Sequence, residues 1–188
     1  MRWRRSALVP LLAALAMLAA ARPVAADQKD PRLVPLFEQL RAADSPDVAR
    51  PLAGRIWSIW MEAGNPTADR LLATGVAAMD IGQYGVALRY FDRLVTVAPD
   101  FAEGWNKRAT LLYMLRRYAD SVQDIMRVLA LEPRHFGALS GLALCDEELG
   151  KKAEALLALR RTAAIYPSMP GLKQRIDSLQ KSVEGEPI

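Results

Sequence analysis

Few residues of this 188-residue chain are equipped for chemistry: one histidine, His135, one cysteine, Cys145, and the acidic run Asp146-Glu147-Glu148. A Cys-His pair would supply a nucleophile and its base, but only with the two side chains in hydrogen-bonding reach. Here a turn holds His135, and Cys145 lies ten residues away, well along the next helix-forming run. A structural zinc centre takes four thiolate or imidazole ligands, and one of each falls short. Three consecutive carboxylates on a helix point to different sides, so no matched acid and base pair arises. No glycine-rich phosphate loop follows a strand, because no strand is evident. The residue types therefore point away from an enzyme, and no cofactor or metal is expected.

The elements that would position such residues are set by a composition typical of a folded domain, 52% apolar and 24% charged. The formal charge of +4 and the pI of 9.4 would suggest an anionic partner if the excess lay on the folded part. It lies instead at the start, "MRWRRSALVPLLAALAMLAAARPVAADQ". A basic tip (Arg2, Arg4, Arg5), an apolar run from Ala7 to Ala21 and the small-residue end Val24-Ala25-Ala26 have the order of a secretory signal peptide over residues 1–26. The run of 15 residues is shorter than the ~20 a membrane span needs, so cleavage is expected rather than a retained anchor. Arg4-Arg5 also admits a twin-arginine reading of the export route. Removing residues 1–26 leaves 21 basic and 21 acidic residues. The electrostatic argument for nucleic acid, which needs surplus Lys and Arg, disappears with them. A single cysteine makes no intramolecular disulfide, and Cys145 reads as a buried small apolar residue.

The chain's punctuation is periodic. Pro99, Pro133 and Pro167 stand 34 residues apart, each closing an apolar run. Twelve residues before them come Ala87, Ser121 and Ala155, and eight before come Phe91, Ile125 and Leu159. Leu71, Trp105 and Leu139 share another register position, and Gly75, Ala109 and Ala143 another. Large residues thus recur with large and small with small. Within each unit the apolar stripes have helical spacing on both sides of a turn. That turn holds Gly82 in the first unit, Arg116-Arg117 in the second and Gly150 in the third. The period predicts helix, turn, helix and a proline-marked turn, with Trp57, Trp60 and Trp105 in the core.

At these positions the sequence resembles the tetratricopeptide repeat family. Trp105, Ala109, Tyr118, Ser121, Ile125 and Pro133 carry the pattern in one unit; Leu71, Gly75, Tyr84, Ala87, Phe91 and Pro99 carry it in the unit before. The third unit keeps Leu139, Leu142, Ala143, Gly150, Ala155, Leu159 and Pro167, and the departures are Thr74, Arg108, Asp146 and Lys152. The resemblance implies an all-α fold, a right-handed superhelical stack of helix-turn-helix hairpins over residues 68–101, 102–135 and 136–169. A degenerate hairpin over 34–67 is expected to precede them as a fourth unit, with Ala53, Trp57 and Trp60 continuing the core positions. A capping helix over 170–184 should come after them, and "EGEPI" should fray behind it.

The resemblance also implies a concave face lined by the first helix of each unit, where the family typically binds protein or peptide segments. Spacings of three, four and three then aim Asp69, Leu72, Val76 and Met79 inward, then Glu103, Asn106, Thr110 and Tyr113, then Gly137, Ser140, Leu144 and Glu147. This lining lacks the Lys, Asn and Arg set by which some family members clamp a C-terminal carboxylate. The expected function is a protein-protein interaction adaptor or scaffold of the periplasm or cell envelope. A structural role through self-association and an accessory subunit of an envelope enzyme are the alternatives, and the oligomeric state is left open. The first expectation to check is processing: N-terminal sequencing of the exported protein should begin at Asp27, and soluble cytoplasmic protein with Met1–Ala26 intact would refute the signal reading.

Overall fold

A computed structural model describes residues 28–185; the expected signal peptide and the last three residues lie outside the described residues. Among the described residues all secondary structure is helical: α1 (Leu33–Ala42), α2 (Pro46–Trp60), α3 (Pro66–Asp80), α4 (Tyr84–Val97), α5 (Ala102–Met114), α6 (Tyr118–Leu131), α7 (Phe136–Glu148), α8 (Lys152–Ile165) and α9 (Leu172–Glu184).

The helix ends arise from local chemistry. At the start of α3 the Asn65 side chain accepts the N–H groups of Thr67 and Ala68, and Pro66 occupies the first turn, where its missing N–H costs nothing. At the ends of α4, α6 and α8, Ala98, Glu132 and Tyr166 take nearly the same φ, −135°, −135° and −133°, before the three periodic prolines. The proline ring disfavours helical backbone in the residue before it, so the stop is built into the sequence. Between the two helices of each unit the chain turns through Gly82, Arg116 and Gly150, with φ of 73°, 60° and 74°. In each turn the next N–H bonds back across the helix end: Gln83 to Ala78, Arg117 to Leu112 and Lys151 to Asp146, at 2.8, 2.8 and 2.7 Å. This closure requires a left-handed residue, which suits glycine and strains arginine.

Packing obeys the register of small and large residues. Ala87, Ser121 and Ala155 are buried where the paired helices approach, and Phe91, Ile125 and Leu159 fill the space between them. At Gly75 an added Cβ would overlap the Phe91 ring, so the ring requires a bare backbone there. Ser121 spans its hairpin by donating to the Ala109 carbonyl at 2.8 Å and accepts from the buried Cys145 thiol at 3.3 Å. Burial pushes the Cys145 thiol up. The second helix of each unit packs on the first helix of the next, α4 on α5 and α6 on α7; α9 covers the open edge of α8 with Leu172 and Leu179.

Two expectations need correction. Trp105 is only partly buried: its indole N–H donates to the Pro99 carbonyl at 2.9 Å, and the Arg108 guanidinium lies 4.9 Å from its ring centre. It lies against the inter-unit turn; Trp57 is likewise only partly buried, and of the three tryptophans expected in the core Trp60 alone is fully enclosed. The larger correction concerns the N-terminal hairpin. The helices α1 and α2 form, but α2 does not stack on α3 as α4 stacks on α5. The outer side of α3 is polar or small, with Arg70, Ala73, Thr74 and Ala77 exposed, and has nothing to bury α2 against. The apolar stripe of the hairpin, Leu33, Leu36, Phe37, Leu40, Ile56, Ile59 and Trp60, packs instead around Phe136 of α7 and Tyr166 after α8.

Arg108 shows how a charged residue replaces leucine in the interior of the stack. Its Nε and Nη2 donate to both carboxylate oxygens of Asp124 on α6 at 2.7 Å, and its Nη1 donates to Asp92 on α4 at 2.9 Å. One guanidinium thereby bolts α5 to the second helices of two successive units, the bidentate geometry being the strong form of the pair. The strained turn gives the fold's test: Arg116→Gly should relieve a left-handed arginine at ~1–2 kcal/mol, less ~0.4–1 kcal/mol for the greater freedom of the unfolded chain. A net gain of about 0.5–1 kcal/mol should appear as a melting temperature a few degrees higher, whereas Gly82→Arg should lower it.

Candidate functional site: the concave face

The first helices α3, α5 and α7 present one continuous face, and the three-four-three spacing brings most of the expected residues to it. Between α5 and α7 lies a cleft of about 200 Å³ lined by Asn106, Thr110, Tyr113, Ser140 and Leu144, all anticipated from sequence. Ala109, Ile125, Gly137 and Gly141 complete its largely apolar floor, and Ser121 reaches it from below. The small residues of α7 keep it open: from Gly137 to Gly141 only Leu139 and Ser140 carry more than a methyl group, and Leu139 is turned into the core. Tyr113 stands half-buried at one end with its ring 5.4 Å from Tyr118, and burial, with Glu148 nearby, pushes its phenol up. A second, more open hollow lies on α3, where Leu72 and Val76 sit between Asp69 and Asp80.

Other expected lining residues serve elsewhere. Leu72 is almost wholly buried and Met79 packs into the α3–α4 core, so each contributes more to the hairpin than to the face. Glu147 accepts from Arg175 of α9 at 2.6 Å, tying the rim to the cap. Asp69 accepts the Ala63 N–H at 2.9 Å and fixes the connection into α3.

Glu103 and Asn106 are the main surprise, because both are buried although their register places them on the inner side. Glu103 Oε2 accepts from Asn106 Nδ2 at 3.1 Å and lies 3.0 Å from His135 Nε2; its Oε1 forms an ion pair with Lys107 Nζ at 3.2 Å. His135, at the N-terminus of α7, accepts the Ala138 N–H on Nδ1 at 3.0 Å. A nitrogen that accepts carries no hydrogen, so Nε2 bears it and donates to Glu103. Above them lie the rings of α2: Trp60 stacks on the imidazole at 4.1 Å and 9°, and Trp57 meets it edge-on at 5.6 Å. Sequence reasoning placed His135 in a turn and gave it no partner. Its bond to Glu103 spans 32 residues, not the 34 of the period, so register comparison could not pair them.

The geometry suits binding. His135 and Cys145 are both buried, one held by Glu103 and Ala138 and the other by Ser121. Among the described residues no group of three His, Cys, Asp or Glu is placed to hold a metal ion, and no helix is long and apolar enough to cross a membrane.

The family model for the tetratricopeptide repeat matches residues 72–130 and 107–170. The chain belongs to the tetratricopeptide repeat family. A TPR repeat-containing protein of Rhizobium etli is 36% identical over 154 residues, 82% of this chain and 76% of that protein. The Hsp70-Hsp90 organizing protein of Triticum aestivum is 28% identical over 120 residues, 64% of this chain but 21% of its own length. Among solved structures, the first TPR of Spaghetti (RPAP3) bound to an HSP90 peptide superposes with a TM-score of 0.61 at 18% identity, covering 63% of this chain and 94% of that one. The crystal structure of MamA gives 0.60 at 20% identity, covering 72% and 84%. At such identities the structural likeness speaks for the repeat fold alone.

The node at His135 is testable by stability. His135→Ala removes a helix cap worth ~0.5–2 kcal/mol and leaves a buried carboxylate short of a donor at ~1–3 kcal/mol. Thermal unfolding should show a combined loss of about 2–4 kcal/mol. His135→Asn, which restores a cap acceptor but neither the ring nor the reach to Glu103, should recover only about 1 kcal/mol of it.

Proposed function

We propose that this chain is an exported interaction adaptor of the periplasm or cell envelope, which holds a protein or peptide segment on its concave face. The observation that carries the reading is the cleft between α5 and α7: an apolar floor under hydrogen-bonding walls of Thr110, Tyr113 and Ser140, preformed by helices rather than by loops. A few polar groups around an apolar floor orient a bound segment while burial supplies the affinity. Proteins of the same fold, the first TPR of Spaghetti and TPR2B of yeast Sti1, are described as complexes with an HSP90 peptide and with Hsp70. Export is supported by the basic tip, the apolar run and the small-residue end of residues 1–26.

Tyr113 is the residue to test, because it combines an aromatic ring with a hydroxyl at the cleft and is not part of the buried node. Truncating an aromatic anchor commonly costs over 2 kcal/mol, about thirtyfold in affinity. Tagged chain recovered from envelope extract after Tyr113→Ala should lose its co-purifying partner while keeping a near-normal circular dichroism spectrum. Met126→Ala, on an exposed position of α6, should retain it. Undiminished capture by Tyr113→Ala would sink the cleft as the binding surface.

A further inference from the structure

The hairpin α1–α2 shows what kind of group the inner end of this face accepts. Trp57 lies directly on Gly137 of α7, where an added Cβ would come within 2.5 Å of its ring. Lys107 Nζ stands 5.5 Å from the centre of the same ring, in cation–π range. Trp60, three residues on and so one helical turn away, lies flat on His135. A bare glycine, a cation and a flat imidazole face thus form a site for two aromatic rings, and the chain's own α2 fills it. Gly137 also lines the open cleft, so the seat of Trp57 and the cleft adjoin at that residue.

The seal is incomplete. Docking buries the Glu103 carboxylate and leaves the Trp60 indole N–H without an acceptor among the described residues. Both costs oppose the apolar gain. The hairpin joins α3 through the five-residue connection 61–65, with Gly64 at φ 64°, without stacking on it; beyond the rings, α1 touches α8, Arg134 lies on Phe37, and Gln28 just before α1 bonds to Asp100 and Ala102. An element that does not stack on its neighbour in sequence, and that covers polar groups it does not satisfy, can leave without unfolding the hairpins behind it.

We propose that the Gly137–His135 end of the concave face is a recognition site for a helical segment carrying two aromatic residues three apart, which α2 occupies as an internal ligand until a partner of that chemistry displaces it. This rests on the concave face being a binding surface. Its test needs no natural partner, so its failure is separable from a failure of partner capture.

The probe is a labelled synthetic peptide of residues 46–60, monitored by fluorescence anisotropy against the full chain. The chain with Trp57→Ala and Trp60→Ala together, its own rings gone, should bind the peptide at least tenfold more tightly than wild type. Adding Gly137→Val should abolish that binding, because the valine fills the place of the ring. A tethered ligand sits at an effective concentration of roughly 1 mM. Absence of binding up to that level therefore overturns the proposal, as does equal binding to wild type or to the Gly137→Val chain. Should the double variant lose its helicity, amide hydrogen exchange of Gly137→Val alone decides. Exchange in α1 and α2 at least tenfold faster than wild type, with α5 to α8 unchanged, supports a displaceable hairpin. Exchange of α1 and α2 only together with the stack makes the hairpin fixed core and ends the proposal.

Discussion

The imidazole of His135 is the point on which the two parts of this molecule depend. One nitrogen caps α7, the other donates to Glu103 of α5, and the ring face carries Trp60 of α2. Without the ring, Glu103 would be a carboxylate enclosed with only Asn106 and Lys107 to answer it, and burying a charge short of partners is costly. The histidine therefore lets two hairpins of the stack share a polar node and lets a third, non-stacking hairpin cover that node with aromatic surface. Arg134 adds to the same seam: its guanidinium pairs with Glu132 and lies 4.3 Å from the centre of the Phe37 ring. The inter-unit turn 132–135 is thus less a connection than the seat of the N-terminal hairpin.

The repeated part of the fold was legible because each unit solves the same local problem with the same residues. A proline stops the second helix, a left-handed residue ends the first, and an alanine or serine lets the pair close on a large apolar side chain. Three copies of that solution, 34 residues apart, are hard to produce by chance. The cleft residues Asn106, Thr110, Tyr113, Ser140 and Leu144 came from helical spacing once the inner face was fixed. What the period could not carry was anything outside the register. The Glu103–His135 bond, the bidentate Arg108–Asp124 pair and the docking of Trp57 on Gly137 all join residues by side-chain reach rather than by repeat position.

The misplacement of the N-terminal hairpin has a physical cause that was visible at one residue. Positions 74, 108 and 142 are equivalent, and the family prefers leucine there. In the structure Leu142 packs into the cores on both sides of α7, and Arg108 reaches back to Asp92 of the preceding unit. That position is therefore one through which a unit holds its predecessor. Thr74 is exposed and donates its hydroxyl back to the Arg70 carbonyl of its own helix. A threonine satisfied within α3 offers a preceding helix neither apolar surface nor a charge, so the stack begins at α3, and the departure at Thr74 marks an end rather than a blemish in packing.

An N-terminal hairpin with no stacking partner still has apolar stripes on both its helices, and leaving them in water would cost far more than any one polar mismatch. The concave face is the nearest surface that can receive them, but its register was set by the repeat for lining, with Glu103 and Asn106 pointing inward and Lys107 beside them. Burial and polar satisfaction therefore pull against each other at this contact. The outcome keeps most of both: Glu103 finds His135 and Asn106, Lys107 turns toward Trp57, and the unmet demand falls on the Trp60 N–H and on Glu103 Oε1, which has the Lys107 ion pair but no hydrogen bond. A contact made this way suits large rings, which lie flat on the imidazole and close on the bare glycine. It is also weaker than its buried area would suggest, because part of the apolar gain is offset by the polar groups it covers. That combination separates the seam of the N-terminal hairpin from the seams within the stack, where alanine meets leucine and enclosed polar groups such as Asp124 and Ser121 have partners.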